Sequence, residues 1–196
     1  MNELVSQTVY FAESGPVNTE RTLALVAERA KALGIQTVLV ATTSGATGLQ
    51  AVQTLSGLDV IAVTHSAGFR EPYDVEHDRA VCERIEGAGG KVLTATHAFG
   101  GVGRAVRKKL DTYQIEEIIA FTLRLFGEGM KVAAEIALMA SDAGLVPTAE
   151  PLIAVSGTGQ GADTAVVLRP THAQTFFDLR FLEIICMPAP GHPALA

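Results

Sequence analysis

The chain predicts an α/β fold, a mostly parallel sheet covered on both faces by helices, with an antiparallel element at its edge. Three observations predict it. First, four apolar, β-branched runs each end in a small polar cluster. Val38-Leu39-Val40-Ala41 leads into Thr42-Thr43-Ser44-Gly45, and Val60-Ile61-Ala62-Val63 into Thr64-His65-Ser66. Val92-Leu93-Thr94-Ala95 leads into Thr96-His97, and Leu152-Ile153-Ala154-Val155 into Ser156-Gly157. Continuous apolar runs of this length are what strands buried on both faces require. Second, segments of helical periodicity separate the runs, so strand and helix alternate. Third, the 196 residues are 48% hydrophobic and only 18% charged, which fits one compact domain burying about 70% of its unfolded surface.

The elements follow in order. Thr8–Phe11 reads as a short strand, and Asn18 or a neighbour can cap a helix to about Leu33, with Leu23, Val26, Ala27 and Ala30 on one face. Gly34 stands where a left-handed residue ends a helix at little cost. A strand at Gln36–Ala41 precedes a helix from Ala46 to about Leu55. Strand Val60–Val63 enters a longer loop containing Pro72, from which Asp74 can cap a helix through Glu86. Gly87, Gly89 and Gly90 stop that helix before strand Lys91–Ala95, and helix Val102–Leu110 follows. Ile115–Phe126 reads as a helix with Ile115, Ile118, Ile119, Thr122 and Phe126 aligned. Gly127-Glu128-Gly129 breaks it before a second helix over Met130–Ala143. Strands Leu152–Val155 and Thr164–Leu168, joined by a loop and no helix, form the antiparallel element. A short helix near Ala173–Phe177, strand Phe181–Met187 and a loose, proline-bearing tail over 188–196 complete the single domain, 1–196.

Charge and composition narrow the partners. A formal charge of −6 without a basic block argues against nucleic acid and anionic membrane. No run of about 18 uncharged apolar residues exists to span a bilayer. The start lacks a basic region followed by an apolar stretch, so a cytoplasmic location is expected. Cys82 and Cys186 have no partner at metal-ligand spacing and read as two reduced thiols, with no metal expected. The apolar share also predicts a homo-oligomer.

The chemistry concentrates at the strand ends, where open α/β sheets collect ligands. Strand, Thr42-Thr43-Ser44-Gly45-Ala46-Thr47, then helix presents free backbone N–H groups and a positive helix end to an anion, with hydroxyls from Thr42, Thr43, Ser44 and Thr47 beside them. It lacks the Gly-Lys-Ser/Thr ending of a Walker loop. The plainer alternative is a tight turn with an N-cap. His65 and His97 follow threonines at two strand ends (Thr64 and Thr96), so one pocket can hold both, as phosphate donors or as acid and base. Gly157-Thr158-Gly159-Gln160-Gly161 precedes a strand rather than a helix, which argues against a dinucleotide fingerprint. It suits a loop folding over a ligand, with Asp163 accepting a ligand hydroxyl or capping the turn. Arg104, after Gly100-Gly101-Val102-Gly103, is a candidate second anion contact. Glu128 and Lys131 read as an exposed pair at a helix start, with function as the alternative.

These motifs together resemble a family of stand-alone proteins related to the C-terminal domain of pyruvate kinase. The resemblance rests on Asn18-Thr19-Glu20, Ala41-Thr42-Thr43-Ser44-Gly45, Val63-Thr64-His65 with Ala67-Gly68-Phe69, Thr96-His97, Thr122-Leu123-Arg124, Lys131-Val132-Ala133 with Glu135-Ile136, and Gly161-Ala162-Asp163-Thr164-Ala165. It implies a three-layer α/β/α domain of unassigned biochemical role. It also implies an effector-type phosphate loop at Thr42–Thr47 and a flavin mononucleotide-like ligand. On that reading Thr42, Thr43, Ser44, Gly45 and Thr47 hold the phosphate. Asn18, His65, Thr96, His97, Gly157, Thr158, Gly161 and Asp163 surround the remainder. The chain departs from the family at Met187, where a basic residue is common, and at Gly100–Gly103. Three functions stay open: a binding protein for a phosphorylated ligand such as FMN, an enzyme using His65 or His97 as acid or base, and an effector sensor acting through a partner chain.

Overall fold

The computed structural model describes residues 3–195 of the chain. The strands are β1 (Val9–Phe11), β2 (Thr37–Ala41), β3 (Asp59–Thr64), β4 (Lys91–Thr94), β5 (Leu152–Ser156), β6 (Thr164–Arg169) and β7 (Arg180–Pro188). The helices are α1 (Thr19–Leu33), α2 (Ala46–Thr54), α3 (Arg79–Gly87), α4 (Val102–Leu110), α5 (Ile115–Arg124) and α6 (Glu128–Asp142). Short 3₁₀ turns cover Pro16–Asn18, Ala173–Asp178 and Pro193–Leu195. No helix among the described residues is long and apolar enough to cross a membrane.

The strands form one sheet in the order β1-β7-β6-β5-β2-β3-β4. β6 alone runs against its neighbours, pairing antiparallel with β5 and β7, while the other adjacent pairs are parallel. The antiparallel element thus occupies one side of the sheet, and β1 closes that edge alongside β7. Pleat alternation splits the core in two. Val38, Val40, Ile153 and Val155 face α1 and α2, whereas Leu39, Ile61, Ala154 and Val166 face α6. α5 lies on α6 through Ala120 and Leu138, away from the sheet.

From β2 the chain moves outward through β3 and β4, then returns through α4, α5 and α6 to lay β5 on the other side of β2. The winding direction changes between β2 and β5, and a crevice opens there beyond the strands' carboxyl ends. Close packing seats the neighbouring elements. A Cβ on Gly48 would lie 2.8 Å from the Ala62 Cβ, so α2 presses directly on β3. A Cβ on Gly129 would lie 2.2 Å from Thr164 Oγ1, and Ser156 Oγ donates to the Gly129 carbonyl at 2.7 Å.

Local expectations differ from the structure in three places. Asp78 rather than Asp74 caps α3, accepting from the Ala80 N–H at 2.8 Å, because the loop after β3 continues four residues further. Asn18 stands at the start of α1 without capping it. Its amide donates backwards to the Glu13 carbonyl at 2.8 Å, holding the preceding turn. The tail expected to be loose begins inside β7, and the Ala189 N–H donates to the Phe11 carbonyl at 2.9 Å, with the His192 ring stacked on Tyr10.

Candidate functional site

A cleft of about 810 Å³ fills the crevice between β2 and β5. Its walls come from the carboxyl ends of β2 and β3, the loop after β4, the 157–161 loop after β5, and the first turns of α1, α2, α4 and α6. Helix starts bring partial positive charge, so their convergence favours an anionic guest.

The loop after β2 turns sharply into α2 at Gly45, whose φ of 94° is a conformation that glycine adopts without strain. A Cβ there would also lie 2.8 Å from Val81 Cγ1. Thr42 is buried and its hydroxyl accepts the Gly45 N–H at 3.1 Å, so it shapes the loop while also lining the cleft. Thr43, Ser44 and Thr47 line the same wall, and α2 begins without a side-chain cap.

His65, His97 and Phe69 form an aromatic cluster opposite. Phe69 stacks on His97 with ring centres 4.4 Å apart and lies 4.2 Å from the centre of His65. The Arg104 guanidinium covers Phe69 at 4.4 Å. A side chain on Gly100 would meet that guanidinium at 2.9 Å, so the glycine leaves Arg104 room to fold back. Glu76 accepts from both His65, at 2.7 Å, and Arg70, at 3.0 Å, tying the loop after β3 over the cleft.

Beneath His97 lies an ionic group that the sequence did not reveal. Glu135 is only 3% exposed. It pairs with Lys131 one turn earlier, accepts the Phe99 N–H at 3.1 Å, and lies 3.5 Å from His97 Nδ1. Burial alone pushes the Glu135 carboxyl up. The His97 hydrogen bond and the Lys131 charge outweigh that and bring it down to about 2. Lys131 is therefore a buried cleft residue rather than an exposed one, and Glu128 is engaged by Arg124 through two bonds of 2.6 and 3.2 Å. The signal available was a Lys and a Glu at i, i+4 within an otherwise apolar helix.

Thr42, Thr43, Ser44, Thr47, His65, His97, Gly157 and Gly161 line one cleft, so most of the expected residues converge. Gly45 sets the turn behind that wall. Asn18, Thr96 and Thr158 stay outside the lining. Asp163 is fully buried, and its carboxylate accepts N–H bonds from Gly15 at 2.7 Å and Thr158 at 3.1 Å and the Thr164 hydroxyl at 2.8 Å. Of its two expected roles, the structure assigns the turn-holding one. It fastens the 157–161 loop to the segment before α1, while Gly161 lets that loop pass against Pro16.

Among solved structures, the chain resembles pyruvate kinases of Cryptosporidium parvum. One aligns at 17% identity and a TM-score of 0.42, covering 78% of this chain and 23% of that one. A second aligns at 16% and 0.40 over 78% and 22%, and a third, in complex with ADP, at 17% and 0.39 over 76% and 22%. The chain thus spans less than a quarter of the length of these enzymes. The family model of the pyruvate kinase alpha/beta domain matches residues 20–168, from the first turn of α1 to the end of β6, and the chain belongs to that family.

Proposed function

We propose that the cleft binds a phosphorylated small molecule, with flavin mononucleotide as the leading candidate. The observation that carries this reading is the uncapped start of α2 behind Thr43, Ser44 and Thr47, facing Arg104 and Lys131 across one cavity. Backbone N–H groups and hydroxyls at such a helix start complement a phosphate, and Arg104 supplies charge. The volume lies within the about 300–1,000 Å³ of small-molecule sites, and Val132, Ile136 and Met139 provide an apolar side for a ring system.

The first measurement is an absorbance spectrum of the purified protein, with mass spectrometry of whatever heat releases, followed by a fluorescence titration with flavin mononucleotide. Thr43→Glu or Ser44→Glu places a carboxylate against the phosphate and abolishes binding. Unchanged affinity in both variants removes the loop from the site.

A second reading, acid–base catalysis, is favoured by the Glu135–His97 pair. A buried carboxylate 3.5 Å from Nδ1 orients the imidazole, as a histidine that exchanges protons requires. If the released compound is turned over, His97→Ala binds it but no longer converts it. Full turnover in that variant, and in His65→Ala, assigns the histidines to binding alone.

A further inference from the structure

The outer face of α5 is an apolar surface that the cleft leaves without a role. Ala120, Ile119 and Leu123 turn inward against α6, and the opposite face carries Ile115, Ile118, Phe121, Thr122 and Leu125. Its four large residues are 77%, 56%, 53% and 83% exposed, in that order. Thr122 adds little polarity, because its hydroxyl already donates to the Ile118 carbonyl at 2.9 Å and leaves the methyl group outermost. None of its five positions is charged, and the Arg124 guanidinium flanks it 5.4 Å from the Phe121 ring centre, whereas an exposed helix face is ordinarily polar throughout.

We propose that this face is the contact between two copies of the chain, paired as antiparallel α5 helices about a two-fold axis. Two arguments identify a second copy as the occupant. The residues at 115, 118, 122 and 125 are spaced three, four and three apart, a pattern that reads the same in either direction. Antiparallel pairing centred near Ala120 then sets Ile115 against the copy's Leu125 and Ile118 against its Thr122, which is the self-matching an isologous contact needs. The second argument is area. With Phe126, 59% exposed just beyond the helix, the face presents on the order of 700 Å² of side-chain surface, near the roughly 800 Å² per partner of a stable dimer and above the largest patch on an ordinary monomer. This inference is independent of what the cleft binds, since none of the face residues lines it.

Sedimentation velocity on the full chain from about 1 to 100 µM tests the pairing, at concentrations that bracket weak association. Wild type sediments as a dimer, and Ile118→Glu weakens association at least about a hundredfold while its circular dichroism and unfolding midpoint stay unchanged. Leu33→Glu, on another exposed apolar residue, leaves the dimer intact. The register is tested by charge exchange: Ile115→Glu and Leu125→Lys each weaken the dimer, and the double variant recovers at least about tenfold. A monomeric wild type, or a dimer indifferent to Ile118→Glu, overturns the proposal and leaves the face for a different protein. A double variant no tighter than the singles overturns the antiparallel pairing.

Discussion

Glu135 pairs with Lys131 and lies beside His97 in the buried floor of the cleft, and its replacement separates charge from shape. Glu135→Gln keeps the volume and leaves the ammonium without its counter-charge, which costs about 3 kcal/mol in urea unfolding. Removing the second charge as well, with Lys131→Met, recovers most of that loss, because a buried pair replaced by apolar groups is close to neutral. The same carboxyl sets an acid limit. Its native pKa of about 2 lies below the ordinary 4.5, so its contribution is complete above about pH 4.5 and is lost as pH falls toward 2. Stability measured across that window falls less steeply in Glu135→Gln than in wild type. Cys186 acts at the other end. Burial pushes its thiol from 9.0 up to about 11, so its contribution is intact below pH 9 and is lost as pH rises through 11. Cys186→Ala flattens that alkaline decline, which thermal scans from pH 8 to 11 read directly.

At the level of elements, the glycines at 48 and 129 set how closely helices approach the sheet. Gly129→Ala forces a methyl group into Thr164 Oγ1 and shifts the first turn of α6, costing about 1–3 kcal/mol. Because Lys131 stands two residues further along that turn, the variant also weakens ligand binding, measured by the same fluorescence titration. Helix and strand positions were legible in the sequence to within a few residues, since α2, α4 and α5 follow from local periodicity and glycine stops. The capping of α3 was not. Asp74 and Asp78 are equivalent as sequence, and only the Ser44 carbonyl, which accepts the Asp78 N–H at 3.1 Å, chooses between them. The exposed pair expected at Glu128 and Lys131 failed for a similar reason. Periodicity says which residues share a helix face, but not that α5 and the loop after β4 cover the face that Lys131 shares with Ala134 and Leu138.

Over the whole molecule, the chain closes its sheet by laying β1 beside β7, nearly the full sequence apart, and Tyr10 stacks on His192 outside that pair. Deleting residues 1–11 removes β1 and leaves β7 as a nine-residue edge with unpaired backbone groups. The truncated chain unfolds at lower temperature and scatters light on heating, whereas an unchanged midpoint without scattering makes β1 dispensable. What the sequence determined by itself is local: which segments are strands, that the sheet is mostly parallel, and that hydroxyls, glycines and imidazoles collect at the strands' carboxyl ends. β-branched runs and their polar terminations lie within single windows of chain, so they can be read there. The tertiary structure alone decided that β5 returns beside β2, which sets the 157–161 loop across from Thr43 and Thr47 and buries Lys131 and Glu135 beneath His97. Strand order arises from pairing between residues more than a hundred positions apart, such as Leu39 with Ala154, and no local pattern encodes such a pairing.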